Sequence, residues 1–303
     1  MSKMNQSKAF VILTLAVAFA LNTMLTPTAS AVSDEAKEMY NSGIKAKQAG
    51  NLEDAILAYK GALALDKTYA DPCVNLGAIY FEQKKYDQAL EMFKEATQRD
   101  KSHAEAFANL GRVEYQLKQY TEAGSSFLTS LKLDSTQSDL YKALGKVYDK
   151  QKKYADAIAT FEKYHELAGG DYASWYLLGK DYKKVSKLTE AVAACKKSIE
   201  LKNDYVYPHS LLGGIYLGQE KYISAAGEFK KALKIKPKDY RAAYNYAIAI
   251  QSESPDEYNT NITNWNNFLK IAKNNPRVKK TMISTANETI NGLKEAKEAV
   301  DLQ

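Results

Sequence analysis

From residue 36 onward, apolar and small residues recur every three or four positions, as in Tyr141, Leu144, Gly145 and Tyr148, the spacing of one face of an α-helix. The pattern then repeats itself. Gly43, Gly77, Gly111, Gly145, Gly179 and Gly213 stand 34 residues apart. Ala55, Ala89, Ala123, Ala157, Ala191 and Ala225 form a second series with the same step, and Tyr59, Phe93, Phe127, Phe161, Cys195 and Phe229 a third. A fourth runs through Leu52, Tyr86, Tyr120, Tyr154, Leu188 and Tyr222. Glycine inside a helix costs about 1 kcal/mol relative to alanine, so six at one register need a packing reason: no side chain holds neighbouring helices apart there. Pro72 and Pro208 are third in their copies, inside a first helical turn where the missing N–H is harmless.

The copies are 36–69, 70–103, 104–137, 138–171, 172–205 and 206–239. They resemble tetratricopeptide repeats (TPRs). The fifth copy carries Trp175-x2-Leu178-Gly179-x2-Tyr182, and the sixth Ala225-x3-Phe229 followed by Pro237. The resemblance implies two antiparallel helices per copy, an all-α, right-handed α-solenoid, and a concave groove lined by positions 2, 5, 6, 9, 12 and 13 of each first helix. After Asp239 the register weakens. Tyr240–Gln251 reads as a seventh first helix with Ala247 in the glycine's place, and 252–261 as a turn about five residues longer than those before. Phe268 and Ile271 resume the second-helix spacing, so 240–276 is a degenerate seventh repeat. Val278, Met282, Ala286, Ile290 and Leu293 mark a last amphipathic helix. Because a solenoid must cover its last apolar face, 277–303 reads as a cap; the alternative is a partner-binding tail.

Two positions break the columns. Tyr164 stands where other copies have Ala62, Ala96, Ser130, Ser198 and Ala232, and Cys195 stands in the ring column. The overfilled site beside the underfilled one suggests compensation, with Gly169-Gly170 relaxing the joint.

Residues 1–31 read as a signal peptide. Lys3 and Lys8 precede the apolar run Ala9–Leu21, and Ala29-Ser30-Ala31 gives a cleavage site after Ala31. The mature chain is expected to be exported, to a bacterial periplasm or beyond; the alternative is an uncleaved anchoring helix. The 13-residue run is short for a membrane span. A net charge of +6 in 303 residues is no polyanion signature, and no nucleic-acid readout motif occurs. No phosphate loop, Gly-x-Ser-x-Gly or His-Glu-x-x-His string is present, and the repeats leave no room for an enzyme domain. His103, His165 and His209 are too dispersed for a metal site, so neither catalysis, a metal nor a cofactor is expected. Cys73 and Cys195 read as small buried hydrophobes.

Function is expected in the groove. Asn41, Asn75, Asn109 and Asn245 share position 6, where a ladder of carboxamides grips peptide groups or is simply the residue such repeats favour there. Arg112, Lys146 and Lys180 share position 9, with Lys142, Lys150, Lys183 and Lys184 flanking and Asp149 interrupting. This basic lane is either a dock for an acidic segment or solvated surface. Tyr40, Tyr176, Tyr207 and Tyr244 add rings to the same face. Repeats that clamp the C-terminal carboxylate of heat-shock chaperones follow a lysine–asparagine pattern that no triplet of copies fits. The expected function is a non-catalytic scaffold binding an extended peptide or protein surface. The alternative is a regulatory or recruiting subunit of a cell-envelope enzyme or assembly machine whose activity lies on another chain.

Overall fold

The computed structural model describes residues 32–302; the expected leader and the expected cleavage after Ala31 lie outside the described residues. Those residues form 15 α-helices and no strands. They are α1 (Asp34–Gln48), α2 (Leu52–Leu65), α3 (Asp71–Glu82), α4 (Tyr86–Arg99), α5 (Ala104–Gln116), α6 (Tyr120–Leu133), α7 (Ser138–Lys150) and α8 (Tyr154–Ala168). The series continues with α9 (Tyr172–Lys184), α10 (Leu188–Leu201), α11 (Val206–Gly218), α12 (Tyr222–Ile235), α13 (Tyr240–Glu253), α14 (Tyr258–Ala272) and α15 (Lys280–Asp301). The fold is all-α and built from helix pairs, as in an α-solenoid. The chain divides after Ala106, inside the first turn of α5, into two compact units.

The glycine column has its packing reason. A Cβ placed on Gly43, Gly77, Gly111, Gly145 or Gly213 would lie 2.6–2.9 Å from the ring of Tyr59, Phe93, Phe127, Phe161 or Phe229, sixteen residues on. Each ring is at most 2% exposed. The odd-numbered helix of each pair thus offers bare backbone, and its partner fills the space with a ring whose burial contributes roughly 1.5–3 kcal/mol.

The turn inside each pair is equally periodic. Gly50, Lys84, Lys118, Lys152, Ser186 and Glu220, again 34 apart, all have φ between 59° and 83°. Each follows a helix end closed by Schellman bonds: in the second copy Lys85 N–H donates to the Tyr80 carbonyl and Lys84 N–H to that of Phe81, both at 2.9 Å. Left-handed backbone costs a non-glycine residue roughly 1–2 kcal/mol, which these bonds help to offset. Between copies, Asp66, Asp100 and Asp134 each accept the N–H and hydroxyl of a Thr or Ser two residues on. Those bonds hold all three carboxyls below the usual carboxylate range.

The fourth copy ends differently. Gly169 and Gly170 both take positive φ, and a Cβ on Gly170 would strike the His165 ring at 2.3 Å. Tyr164 donates to Asp171 Oδ2 at 3.0 Å, while Asp171 Oδ1 caps α9. The expected Tyr164–Cys195 compensation gives way to another arrangement. Tyr164 closes the turn, and α9 and α10 themselves take up the space at Cys195. A Cβ on Gly179 would meet Cys195 Sγ at 3.0 Å and the Ala191 carbonyl oxygen at 3.1 Å. Near the C-terminus, the long turn read at 252–261 is only 254–257, because Tyr258–Asn261 already forms the start of α14. Buried Asn261 secures it by donating to the carbonyls of Ser254 and Pro255 at 2.8 and 3.3 Å. Ala286, Ile290 and Leu293 of α15 complete a core with Trp265 and Phe268 of α14 and Ala247 of α13.

Gly111→Ala should lower stability by about 1–3 kcal/mol despite the better helix former, because the added methyl overpacks Phe127. Gly292→Ala, with open space around it inside α15, should raise stability by up to about 1 kcal/mol. Denaturant midpoints of the two variants moving in the same direction would contradict the packing account.

Candidate functional site

In the second unit the first helices of successive copies lie side by side: Lys180 of α9 reaches Asp149 of α7, α9 packs on α11, and α11 on α13. Helical spacing of three and four puts the expected groove residues on their common face.

The basic lane is largely a chain of contacts already made. Lys142 Nζ lies 2.6 Å from Asp171 Oδ2 and 5.6 Å from the centre of the Tyr164 ring. Lys180 Nζ lies 2.7 Å from Asp149 Oδ1. Arg112 donates to Asn109 Oδ1 at 2.7 Å. Desolvation, and after it the neighbouring ammonium of Lys142, lowers the pKa of half-buried Lys146. Desolvation followed by Lys184 does the same to Lys183, whose ammonium would lie 3.4 Å from a Cβ on Gly214 of α11. Lys150, Lys183 and Lys184 are nonetheless exposed at the surface.

The carboxamides divide between the units. In the first, Asn41 is exposed and Asn75 donates to the Tyr40 hydroxyl at 2.8 Å. In the second, Asn109 is held by Arg112, and Asn245 is half-buried. The tyrosines also differ. Tyr40 packs on Tyr59 and Tyr69, and burial pushes its pKa up to about 12. Tyr244 meets Trp265 and Phe268 edge-on at 5.3 and 5.1 Å, so it belongs to the core around α14. Tyr176 and Tyr207 instead join Tyr172 and Tyr205 in a cluster with ring centres 4.9–5.7 Å apart, and Tyr207 is 51% exposed. Tyr205, at the end of the fifth copy, escaped the position-by-position reading of first helices.

Asp181 was missed as well. It is fully buried where copies 2, 3, 4 and 6 place Ile79, Val113, Val147 and Ile215 (the first copy has Lys45), and comparing that column is the signal that finds it. No N–H or hydroxyl donor reaches either of its oxygens, and Lys180 Nζ stays 3.9 Å away. Burial first, then the Asp149 carboxylate, raises its pKa far above the ordinary carboxylate range. Asp181 therefore keeps its proton at neutral pH. On the far side of α9, His165 stacks on Trp175 at 3.9 Å and shares a 2.9 Å hydrogen bond with Ser174 Oγ. Burial pushes its pKa down to about 4. These two rings help wall a 510 Å³ cavity, where the Tyr182 hydroxyl donates to Glu162.

Both thiols are buried and unpaired, and burial pushes each up to about 12. Among the described residues no three His, Cys, Asp or Glu side chains converge to hold a metal ion, and no helix is long and apolar enough to cross a membrane.

Comparison with known proteins agrees with this architecture. A family model described as Tetratricopeptide repeat matches residues 74–139, one described as TPR repeat matches 47–84, and a third, also Tetratricopeptide repeat, matches 138–169 and 172–205. The chain belongs to the tetratricopeptide repeat family. No curated protein matches this TPR chain. Among solved structures it is similar to the C-terminal part of a TPR repeat-containing protein from Cytophaga hutchinsonii, with 18% identity and a TM-score of 0.66 over 83% of this chain and 99% of that one. MamA is 26% identical, with a TM-score of 0.52 over 56% of this chain and 93% of its own. YrrB, described as a TPR protein with an unusual peptide-binding site, is 24% identical, with a TM-score of 0.57 over 61% and 95%. The TPR architecture makes the chain a protein-interaction scaffold by class.

Asp181 also makes stability depend on pH. Its folded pKa is raised, so the stability tied to its proton is complete below the free-carboxyl value of 3.8 and is lost as pH rises through the raised pKa. Asp181→Val should leave the melting temperature nearly unchanged at pH 4, raise it at pH 9 and flatten the profile between. An equal slope in the two proteins would show that this proton is not linked to folding.

Proposed function

We propose that this TPR chain is a non-catalytic scaffold working outside the cytoplasm, holding an extended, acidic segment of another protein against the first-helix face of its second unit. The observation that carries the reading is the tyrosine cluster on that face. Tyr172, Tyr176, Tyr205 and Tyr207 come from consecutive copies and lie ring against ring. Rings with an apolar body and a polar edge are the anchors that protein interfaces favour, since they offer large contact area at little entropic cost. Lys150 and Lys184, exposed on the same face, supply attraction for carboxylates, while paired Lys142 and Lys180 add structure rather than free charge. A TPR surface of this kind is consistent with peptide binding, the property for which YrrB is described. The location rests on the leader at residues 1–31.

The test is affinity for a partner captured from the cell envelope. Tyr176→Ala with Tyr207→Ala should weaken it at least about tenfold, the effect of removing a packed aromatic anchor. Lys150→Glu with Lys184→Glu should weaken it further at low salt than at 1 M, where the Debye length falls to about 3 Å. Affinity indifferent to both pairs would place the partner elsewhere and sink the reading. Export has its own check: intact mass from the envelope fraction should match a chain beginning at Val32, and a membrane-held chain beginning at Met1 would refute it.

A further inference from the structure

Beyond the tyrosine cluster, a cavity of 380 Å³ opens where the connection from α12 to α13 meets the connection from α14 to α15. Two rings, Tyr207 and Tyr240, and four cations, Lys236, Lys238, Arg241 and Arg277, line it. Asp239, the one acid in the wall, is committed. Its Oδ1 accepts the N–H groups of Arg241 and Ala242 at 3.1 and 3.3 Å, capping α13, and its Oδ2 lies 3.8 Å from Lys236 Nζ. Among the described residues no carboxylate pairs with Lys238, Arg241 or Arg277. In the middle of the same face, by contrast, Asp171 and Asp149 already neutralise Lys142 and Lys180.

The wall is held in place before any ligand arrives. The Tyr240 hydroxyl donates to the Arg277 carbonyl at 3.2 Å, tying the second connection to α13. Arg241 lies over the Tyr240 ring at 5.6 Å and uses Nε on its hydroxyl at 3.1 Å. Neither terminal nitrogen of that guanidinium donates a hydrogen bond within the described residues. Asn275 Oδ1 accepts the Arg277 N–H at 3.0 Å, fixing the tip of the loop.

We propose that this cavity is the docking site for a cluster of carboxylates on an acidic peptide segment, whose neighbouring residues run onto the tyrosine cluster. The proposal rests on the peptide-binding reading above and names where the acidic part sits. Planar guanidinium groups match the geometry of carboxylates, and hydrogen bonds to charged acceptors are roughly twice as strong as neutral ones. Tyr207 makes the occupant a peptide rather than a small anion. Its ring lines the cavity and also packs on Tyr205 and Tyr176, at 5.1 and 5.6 Å, so the basic site and the aromatic surface are continuous.

The experiment measures binding of a labelled hexaglutamate peptide to the full chain, beside a hexaglutamine peptide of equal length. Hexaglutamate should bind, more weakly as salt rises, and hexaglutamine should not. Arg241→Gln with Arg277→Gln should reduce affinity at least about tenfold. Lys230→Gln with Lys234→Gln removes two charges from α12 outside the cavity lining and should change affinity by less than about twofold, as screened exposed charges do. Circular dichroism of each variant should match the parent chain. If the arginine pair is indifferent while Lys150→Glu with Lys184→Glu abolishes binding, this proposal falls and the scaffold reading stands. If inorganic phosphate or an oligogalacturonate displaces the peptide equally well at equal charge concentration, the cavity reads charge alone and the peptide assignment falls.

Discussion

The contact between a glycine and a ring sixteen residues later governs the rest of the molecule. It lets two helices approach until the backbone of one touches the side chain of the other, and it recurs from Gly43–Tyr59 to Gly213–Phe229. Interiors packed to crystal-like density leave no slack at such a point, so both members are fixed together. Every other periodic feature serves this contact. The left-handed residue at the turn reverses the chain at the distance the contact needs, and the Asp-x-Thr or Asp-x-Ser turns aim the chain into the next copy.

The sixteen-residue rule has one exception and one substitute. In the fifth copy the ring is absent, and α9 and α10 close the gap with their own backbones. In the seventh, Ala247 replaces glycine, and Trp265 and Phe268 fill the interior, with the Trp265 indole N–H donating to Gln251 Oε1 at 2.7 Å. A core defined by volume rather than by particular residues tolerates both solutions.

The helical architecture was legible in the sequence because close packing acts on one position at a time and repeats every 34 residues. The columns of glycine and rings reported it directly. The binding face was legible only in outline. Lys142–Asp171 and Lys180–Asp149 join residues of different columns, through long side chains whose reach no register records. Tyr40 and Tyr244 stood at groove positions, yet each turns into neighbouring rings. The strained turns were hidden for the opposite reason: lysine, serine and glutamate carry no signature of left-handed backbone, and hydrogen bonding imposes it on them. Asp181 was readable in principle, since a carboxylate in an Ile/Val column is a chemical contradiction.

That contradiction and the missing ring fall in the same copy. Proteins open locally wherever the interior is held least strongly, and the fifth copy combines a desolvated acid with the smallest occupant of the ring column. That copy is therefore the place in the second unit whose interior departs furthest from the repeating pattern, although Gly179 of α9 still lies close against the Ala191 carbonyl of α10. Cys195 sits at that seam, fully buried, with burial suppressing its thiolate. A thiol reagent can therefore reach Cys195 only when the packing between α9 and α10 is broken, so labelling of this one side chain reports on the opening of a single repeat.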